Sequence, residues 1–162
     1  MSTSQQEEIS EHVEPDLQAV SFRLNNELYA LNILDVQEII KPVQITVVPL
    51  APRWIAGVIN LRGQILPLIH LARRLGLPAS SQERSARFII TRHKDRHIGL
   101  IVDEVLEVLR LYNDSLEVPP SHLEHREYIR HVSKEERGIA MVLNLKKILS
   151  HSTHPETPEE AL

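Results

Sequence analysis

Residues 55–71 read IAGVINLRGQILPLIHL, two strongly apolar runs that meet at Asn60-Leu61-Arg62-Gly63. Val, Ile and Leu suit pleated, buried backbone, and Gly63 permits the positive φ that a tight reversal needs. The pattern predicts a hairpin from Gly57 to Ile69 with Arg62 projected into solvent at its turn. By position alone Arg62 is the solvated arginine that any hairpin turn carries.

Outward from this hairpin the same grammar repeats. Upstream, Val20 to Leu24 alternates, Asn25-Asn26 offers a turn pair tolerant of positive φ, and Glu27 to Ile33 resumes an extended pattern, so a second hairpin is expected. The run from Leu34 to Ile40 places Val36 and Glu38 two residues apart, on one face if extended, and Pro42 ends its pairing. Pro52 is placed to open a single helical turn through Trp54. Downstream, Leu71 to Leu77 reads as a short helix, Pro78 to Ser85 as a polar connector, and strand material restarts at Arg87 to Thr91.

The second half overlays the first. At an offset of 69, Ala30, Leu31, Ile33, Val36, Glu38 and Ile39 fall on Gly99, Leu100, Val102, Val105, Glu107 and Val108. At an offset of 74, Trp54, Ile55, Val58, Ile65, Leu71 and Leu75 fall on Tyr128, Ile129, Val132, Ile139, Leu145 and Leu149. An internal repeat of this length predicts two similar β lobes divided near residue 80, each half holding about five short strands. Closure into small barrels hides the edges of sheets so small, and a cleft lies between the two. Residues 1–17 and 151–162 lack hydrophobic periodicity and read as loose tails flanking a folded unit at 18–150.

Composition narrows the function. The 162 residues include no cysteine, which excludes a disulfide framework and a thiolate nucleophile and agrees with a cytoplasmic location. The polar N-terminus does not read as a signal peptide, and no apolar run is long enough to insert in a membrane. A net charge of −4 and 4% aromatic residues disfavour a nucleic-acid partner. Phosphate-loop, dinucleotide, zinc-protease and nucleophile-elbow motifs are all missing. Ser115 and Ser133 lack a triad context, and Asp103-Glu104 and Lys134 to Arg137 read as solvated turn charges. Nine histidines, among them His122, His125, His131, His93 and His97, raise a metal-dependent enzyme as an alternative, but no ligand set completes. No catalytic residue, metal or cofactor is expected.

Val36-Gln37-Glu38-Ile39, then Pro52-x-x-Ile55-x-Gly57-Val58-x-Asn60-Leu61-Arg62-Gly63 and Ile65-x-Pro67, together resemble the CheW-type chemotaxis coupling domain. Gly99 to Val105 resembles that family's second-lobe segment and Leu143 to Leu149 its closing helix, so the resemblance covers residues 18 to 150. His70 departs from it, standing where the family commonly has an aspartate.

The resemblance implies a mainly β fold of two intertwined five-stranded SH3-like barrels with short helices. It implies a non-catalytic adaptor that joins methyl-accepting chemotaxis receptors, through their cytoplasmic helical hairpin, to the regulatory domain of a CheA-type histidine kinase. Self-association in arrays at the membrane-bound receptors belongs to the same expectation. The interface candidates are Val36, Glu38, Gly57, Arg62, Gly63 and Val105, with Arg62 supporting the assembly and Val105 lining the second-lobe side. An adaptor of a parallel chemosensory pathway, for type IV pilus twitching or surface sensing, is the alternative within the class.

Overall fold

The computed structural model describes residues 13–78 and 84–150. Its strands are β1 (Leu17–Leu24), β2 (Glu27–Asn32), β3 (Val36–Ile40), β4 (Ile55–Leu61), β5 (Gln64–His70), β6 (Arg87–His93), β7 (Arg96–Val102), β8 (Glu104–Leu111), β9 (Ile129–Glu135) and β10 (Gly138–Leu143). Two short helices, α1 (Leu71–Arg74) and α2 (Leu145–Ser150), follow β5 and β10. The β1–β2 hairpin turns at Asn25-Asn26, with φ of 52° and 68°, and β6–β7 turns at Lys94-Asp95, with φ of 52° and 66°. Positive φ at both central residues matches the right-handed twist of the flanking strands.

Two five-stranded sheets form, in the orders β8-β1-β2-β10-β9 and β3-β6-β7-β5-β4. The repeat is carried through at the level of elements: Glu27 falls on Arg96, Val36 on Val105, Ile55 on Ile129 and Leu71 on Leu145, each opening its strand or helix or lying within one residue of its start. The two sheets are not the two halves of the chain, however. Each half lends its first hairpin to the sheet built from the last three strands of the other. Parallel pairs β2–β10 and β5–β7 join the halves on one side, and antiparallel pairs β1–β8 and β3–β6 on the other. The expected division near residue 80, and the tail residues 1–12 and 151–162, lie outside the described residues; of the N-terminal tail, Asp16 is held to Leu111 by a backbone hydrogen bond of 2.9 Å.

Three local expectations need correction. Pro52 opens no helix: Ile55 N–H donates to Pro52 O at 2.9 Å, closing a turn before β4. The helix read over 71–77 stops at Arg74, because Gly76 (φ 80°) ends it, with Gly76 N–H donating to Arg73 O and Leu77 N–H to Ala72 O. Val36 and Glu38 do not share a face. A bulge between them pairs Val36 with Thr91 and Glu38 with Ile90, which are adjacent on β6 and point oppositely.

The apolar residues sort into three clusters. One fills each curled sheet: Ala19, Leu28, Ala30 and Val142 in the first, Ile59, Leu66, Phe88 and Ile90 in the second. The largest lies between the sheets, where Phe22, Tyr29, Leu31, Ile69, Ile89 and Leu100 meet α1 and α2. Strands β2 and β6 are therefore buried on both faces over Leu28–Leu31 and Phe88–Thr91, where all but Thr91 are apolar. At the junction of the halves sits Arg74, buried between the rings of Trp54 and Tyr128 at 4.8 Å from each centroid. It donates from Nε to Ile148 O at 2.9 Å and from Nη1 to Tyr128 Oη at 2.5 Å. Trp54 and Tyr128 are equivalent positions of the repeat, as are Arg74 and Ile148, so this arginine fastens one half to the other.

Candidate docking surface

The sequence of the β4–β5 turn dictates its geometry. Leu61 pairs with Gln64, leaving Arg62 (φ 52°) and Gly63 (φ 88°) as a two-residue reversal, and Asn60 Oδ1 accepts from Gly63 N–H at 2.9 Å. Nothing lies within 4 Å of a Cβ built on Gly63, so backbone conformation rather than space calls for glycine there. The Arg62 side chain is 69% exposed, as the sequence predicts, yet it is not alone. Its Nη2 donates to Oε2 of Glu38, which is 29% exposed. Glu38 lies on β3, at the opposite edge of the sheet from β4, so curling of the sheet brings the two candidates together.

The other sheet repeats the device. Glu107, equivalent to Glu38, lies on edge strand β8, and Arg137 from the β9–β10 turn stands 3.7 Å from it. Near each pair lie exposed apolar side chains at equivalent positions: Ile39 and Val108 on the edge strands, Ile65 and Ile139 just past the turns. Sequence reasoning named none of these as surface residues. The signal was present in the repeat, which aligned both couples, but aligned apolar positions read as core until exposure is known.

Val36 and Val105 fall differently from Arg62 and Glu38. They occupy equivalent positions, opposite Thr91 and Phe22, and both are half-buried against the core between the sheets. Gly57 lies beneath the surface. A bulge in β4 and a φ of 148° place it against the β3–β4 loop, and a Cβ there would meet Thr46 O and lie 2.8 Å from Ile45 Cγ2. Its lack of a side chain lets Thr46 and Val58 exchange two backbone hydrogen bonds of 2.9 Å. The six candidates thus divide into an exposed ion-paired turn with Glu38, two valines braced on the core, and a glycine that seats a loop.

Among the described residues no three of His, Asp and Glu gather as a metal site. His125 instead meets the Tyr29 hydroxyl at 3.0 Å, and His97 meets Gln64 at 3.1 Å. Burial pushes His70 and His131 below the ordinary histidine value, reinforced by Arg73 and Arg130 respectively. His70 stands at the N-cap of α1 without a side-chain cap bond, whereas its equivalent, Asn144, accepts from Lys147 N–H at 3.3 Å at the start of α2. Among the described residues no helix is long and apolar enough to cross a membrane.

Two curled β lobes locked by reciprocal hairpins, each presenting a surface ion pair beside exposed apolar side chains, define a two-lobed β scaffold built for contact. The profile of the CheW-like domain matches residues 18–153, and the chain belongs to that family of chemotaxis coupling proteins. It is 33% identical to the chemotaxis protein CheW of Helicobacter pylori over 134 residues, covering 82% of this chain and 81% of that one. The scaffolding protein TtCheW from Thermoanaerobacter tengcongensis superposes with a TM-score of 0.79 at 35% identity, covering 85% of this chain and 90% of that one. Protein PilI of Pseudomonas aeruginosa is also similar, 28% identical over 120 residues, covering 73% of this chain and 67% of that one.

Proposed function

We propose that this chain couples methyl-accepting receptors to a CheA-type histidine kinase, with residues 18–150 as the coupling unit and arrays at the cytoplasmic face of the membrane as its place of work. The observation that carries the reading is the Arg62–Glu38 pair. A planar guanidinium on a two-residue turn is held in one orientation, so little entropy is lost when its remaining donors meet a partner's carboxylate or carbonyl. Glu38 holds the fork in place, and Gly63 permits the turn that presents it. Val36 and Val105, half-buried against the core that fills the space between the sheets, brace the edge strands β3 and β8, and in this reading the helical hairpin of a receptor docks along those strands. Interfaces of micromolar strength, about 8 kcal/mol, suffice where many copies assemble, because avidity holds the array. Signal passes as a shift in which interface geometry is favoured, with no bond made or broken.

Co-sedimentation of the purified chain with the kinase and a receptor signalling fragment from the same source tests this. Recruitment and activation of the kinase, lost on Arg62→Ala, is the expected result; a chain that binds neither partner rejects it. The likeness to Protein PilI supports a second reading, an adaptor of a parallel chemosensory pathway, and binding only to that pathway's kinase and receptors selects it. The higher identity to relatives named for chemotaxis favours the first.

A further inference from the structure

Residues 117–125 run as a strap from β9, across β10, to β2. One end is pinned where Glu117 and Val132 exchange two backbone hydrogen bonds of 2.9 Å, the other where the His125 ring meets the Tyr29 hydroxyl at 3.0 Å. That hydroxyl donates to Glu27 at 3.1 Å, so His125 Nε2–H is the donor to Tyr29 Oη. Between strap and strands lies a cavity of about 600 Å³. Leu28, Val132 and Met141 line it from the strands, Pro120 and Leu123 from the strap, and Ile139, 57% exposed, stands at its open edge. Protein interiors leave few voids larger than a water molecule, so packing does not account for such a space beside the buried Leu28 and Met141. The polar part of the lining is mostly cationic: Arg23, Lys134 and Arg137 against Glu27 and Glu117. Arg23 and Arg137 approach Glu104 and Glu107, outside the lining, through Nε at 3.6 and 3.7 Å, and Lys134 joins no ion pair among the described residues. Of the two carboxylates, Glu27 is already engaged by Tyr29.

The geometry points to a ligand site under this strap, for a small molecule with an apolar body and one anionic head, of the class of a medium-chain or aromatic carboxylic acid. Its volume falls within the range of small-molecule sites, about 300–1,000 Å³, and such sites combine apolar walls with a few polar groups that fix orientation. The walls take the body, and entry covers the exposed side of Ile139. Lys134 and the terminal guanidinium donors of Arg23 and Arg137 take the carboxylate by charge-assisted hydrogen bonds. Strands on one side and a strap tied at both ends on the other form the site before a ligand arrives, which lowers the cost of binding. The site needs neither receptor nor kinase.

The test titrates octanoate into the full-length chain with isotope-labelled methionine methyls. The chain holds two methionines, so Met141 reports the cavity and Met1 serves as the control. A saturable shift of the Met141 resonance alone, with a Kd of about 1 mM or below, is the expected result. Lys134→Glu and Ile139→Asp alter exposed positions and leave the fold intact, and each should weaken octanoate about tenfold or more. Octanol and octyltrimethylammonium, which share the apolar body without the anion, should bind the wild type at least about tenfold less tightly than octanoate. No movement of Met141 up to about 10 mM octanoate, or undiminished binding by both variants, overturns the site. Octanol or octyltrimethylammonium binding as tightly as octanoate overturns its assignment to an anionic ligand.

Discussion

Arg62, at the tip of the β4–β5 turn, donates to Glu38 on the opposite edge strand of its sheet, and Arg137 and Glu107 repeat the relationship in the other sheet at 3.7 Å. Each pair bridges the seam where a curled sheet meets itself. Arg62, Arg137 and Glu107 are about half exposed or more and only Glu38 is mostly covered, so screening by water keeps each pair's contribution to stability small, about 1 kcal/mol or less. Their value lies in orienting a donor at the surface. Arg62→Ala should therefore shift the urea unfolding midpoint by no more than that small amount while costing about 2 kcal/mol of partner binding. A variant that unfolds early yet binds normally would reverse the assignment.

Gly57→Ala should cost about 2 kcal/mol or more, because the added methyl meets the Thr46 carbonyl and the backbone there suits glycine. The chain can escape only by releasing the loop. Amide exchange at Thr46 and Val58 reads this directly: protection at both should fall in the variant, and retained protection would show that the bulge adjusts instead.

Arg74→Met should destabilise the fold by about 3 kcal/mol, since it strips the Ile148 carbonyl and the Tyr128 hydroxyl of a buried donor. Arg74→Lys keeps the charge but not the fork, and should fall between the two. Urea denaturation measures the order. A neutral Arg74→Met would mean that packing against Trp54 and Tyr128, which methionine can imitate, is all the arginine contributes.

His70→Asn should stabilise by about 0.5–1 kcal/mol, giving α1 the side-chain cap that Asn144 supplies to α2. Thermal melts at neutral pH decide it, and a lower midpoint would show that packing of the imidazole outweighs the cap.

His70 and His131 together set a pH dependence. His70 and His131 have folded values below their unfolded one, so their contribution is complete above about pH 6.5 and is lost as the pH falls through the folded values. Melting temperature should drop between pH 7.5 and 5.5, and the drop should shrink in a His70→Asn, His131→Gln double variant. Asp35 acts with the opposite sign. Burial raises it, so its contribution is complete below the ordinary carboxylate value and is lost as pH rises through the folded one. A double variant with an undiminished slope would assign the dependence elsewhere.

Much of the site was legible one residue at a time. Asn25-Asn26 and Arg62-Gly63 announce their turns through the few residue types that tolerate positive φ, a purely local property. Val36 was read as facing the same way as Glu38, and the bulge between them undid that, because a bulge is written in the pairing with β6 and not in β3 itself. Glu38 as the partner of Arg62 was equally hidden, being 24 residues away and reached only when the sheet curls.

Alternating hydrophobicity, turn chemistry and the repeat at offsets of 69 and 74 by themselves determined two like β lobes of about five short strands each and a short helix opening at Leu71. Which strand joins which sheet was decided only by the tertiary structure. Because the halves are alike, the first hairpin of either can complete the remaining strands of its own copy or of the other, and local pattern does not distinguish these. The choice shows at the links: Asp103 alone between β7 and β8 is too short to reverse the chain, and Ile33–Asp35 between β2 and β3 form a single 3-10 turn in place of a hairpin reversal. They carry the chain across to the other sheet, and the core between the sheets, which neither half can bury alone, holds the exchange in place.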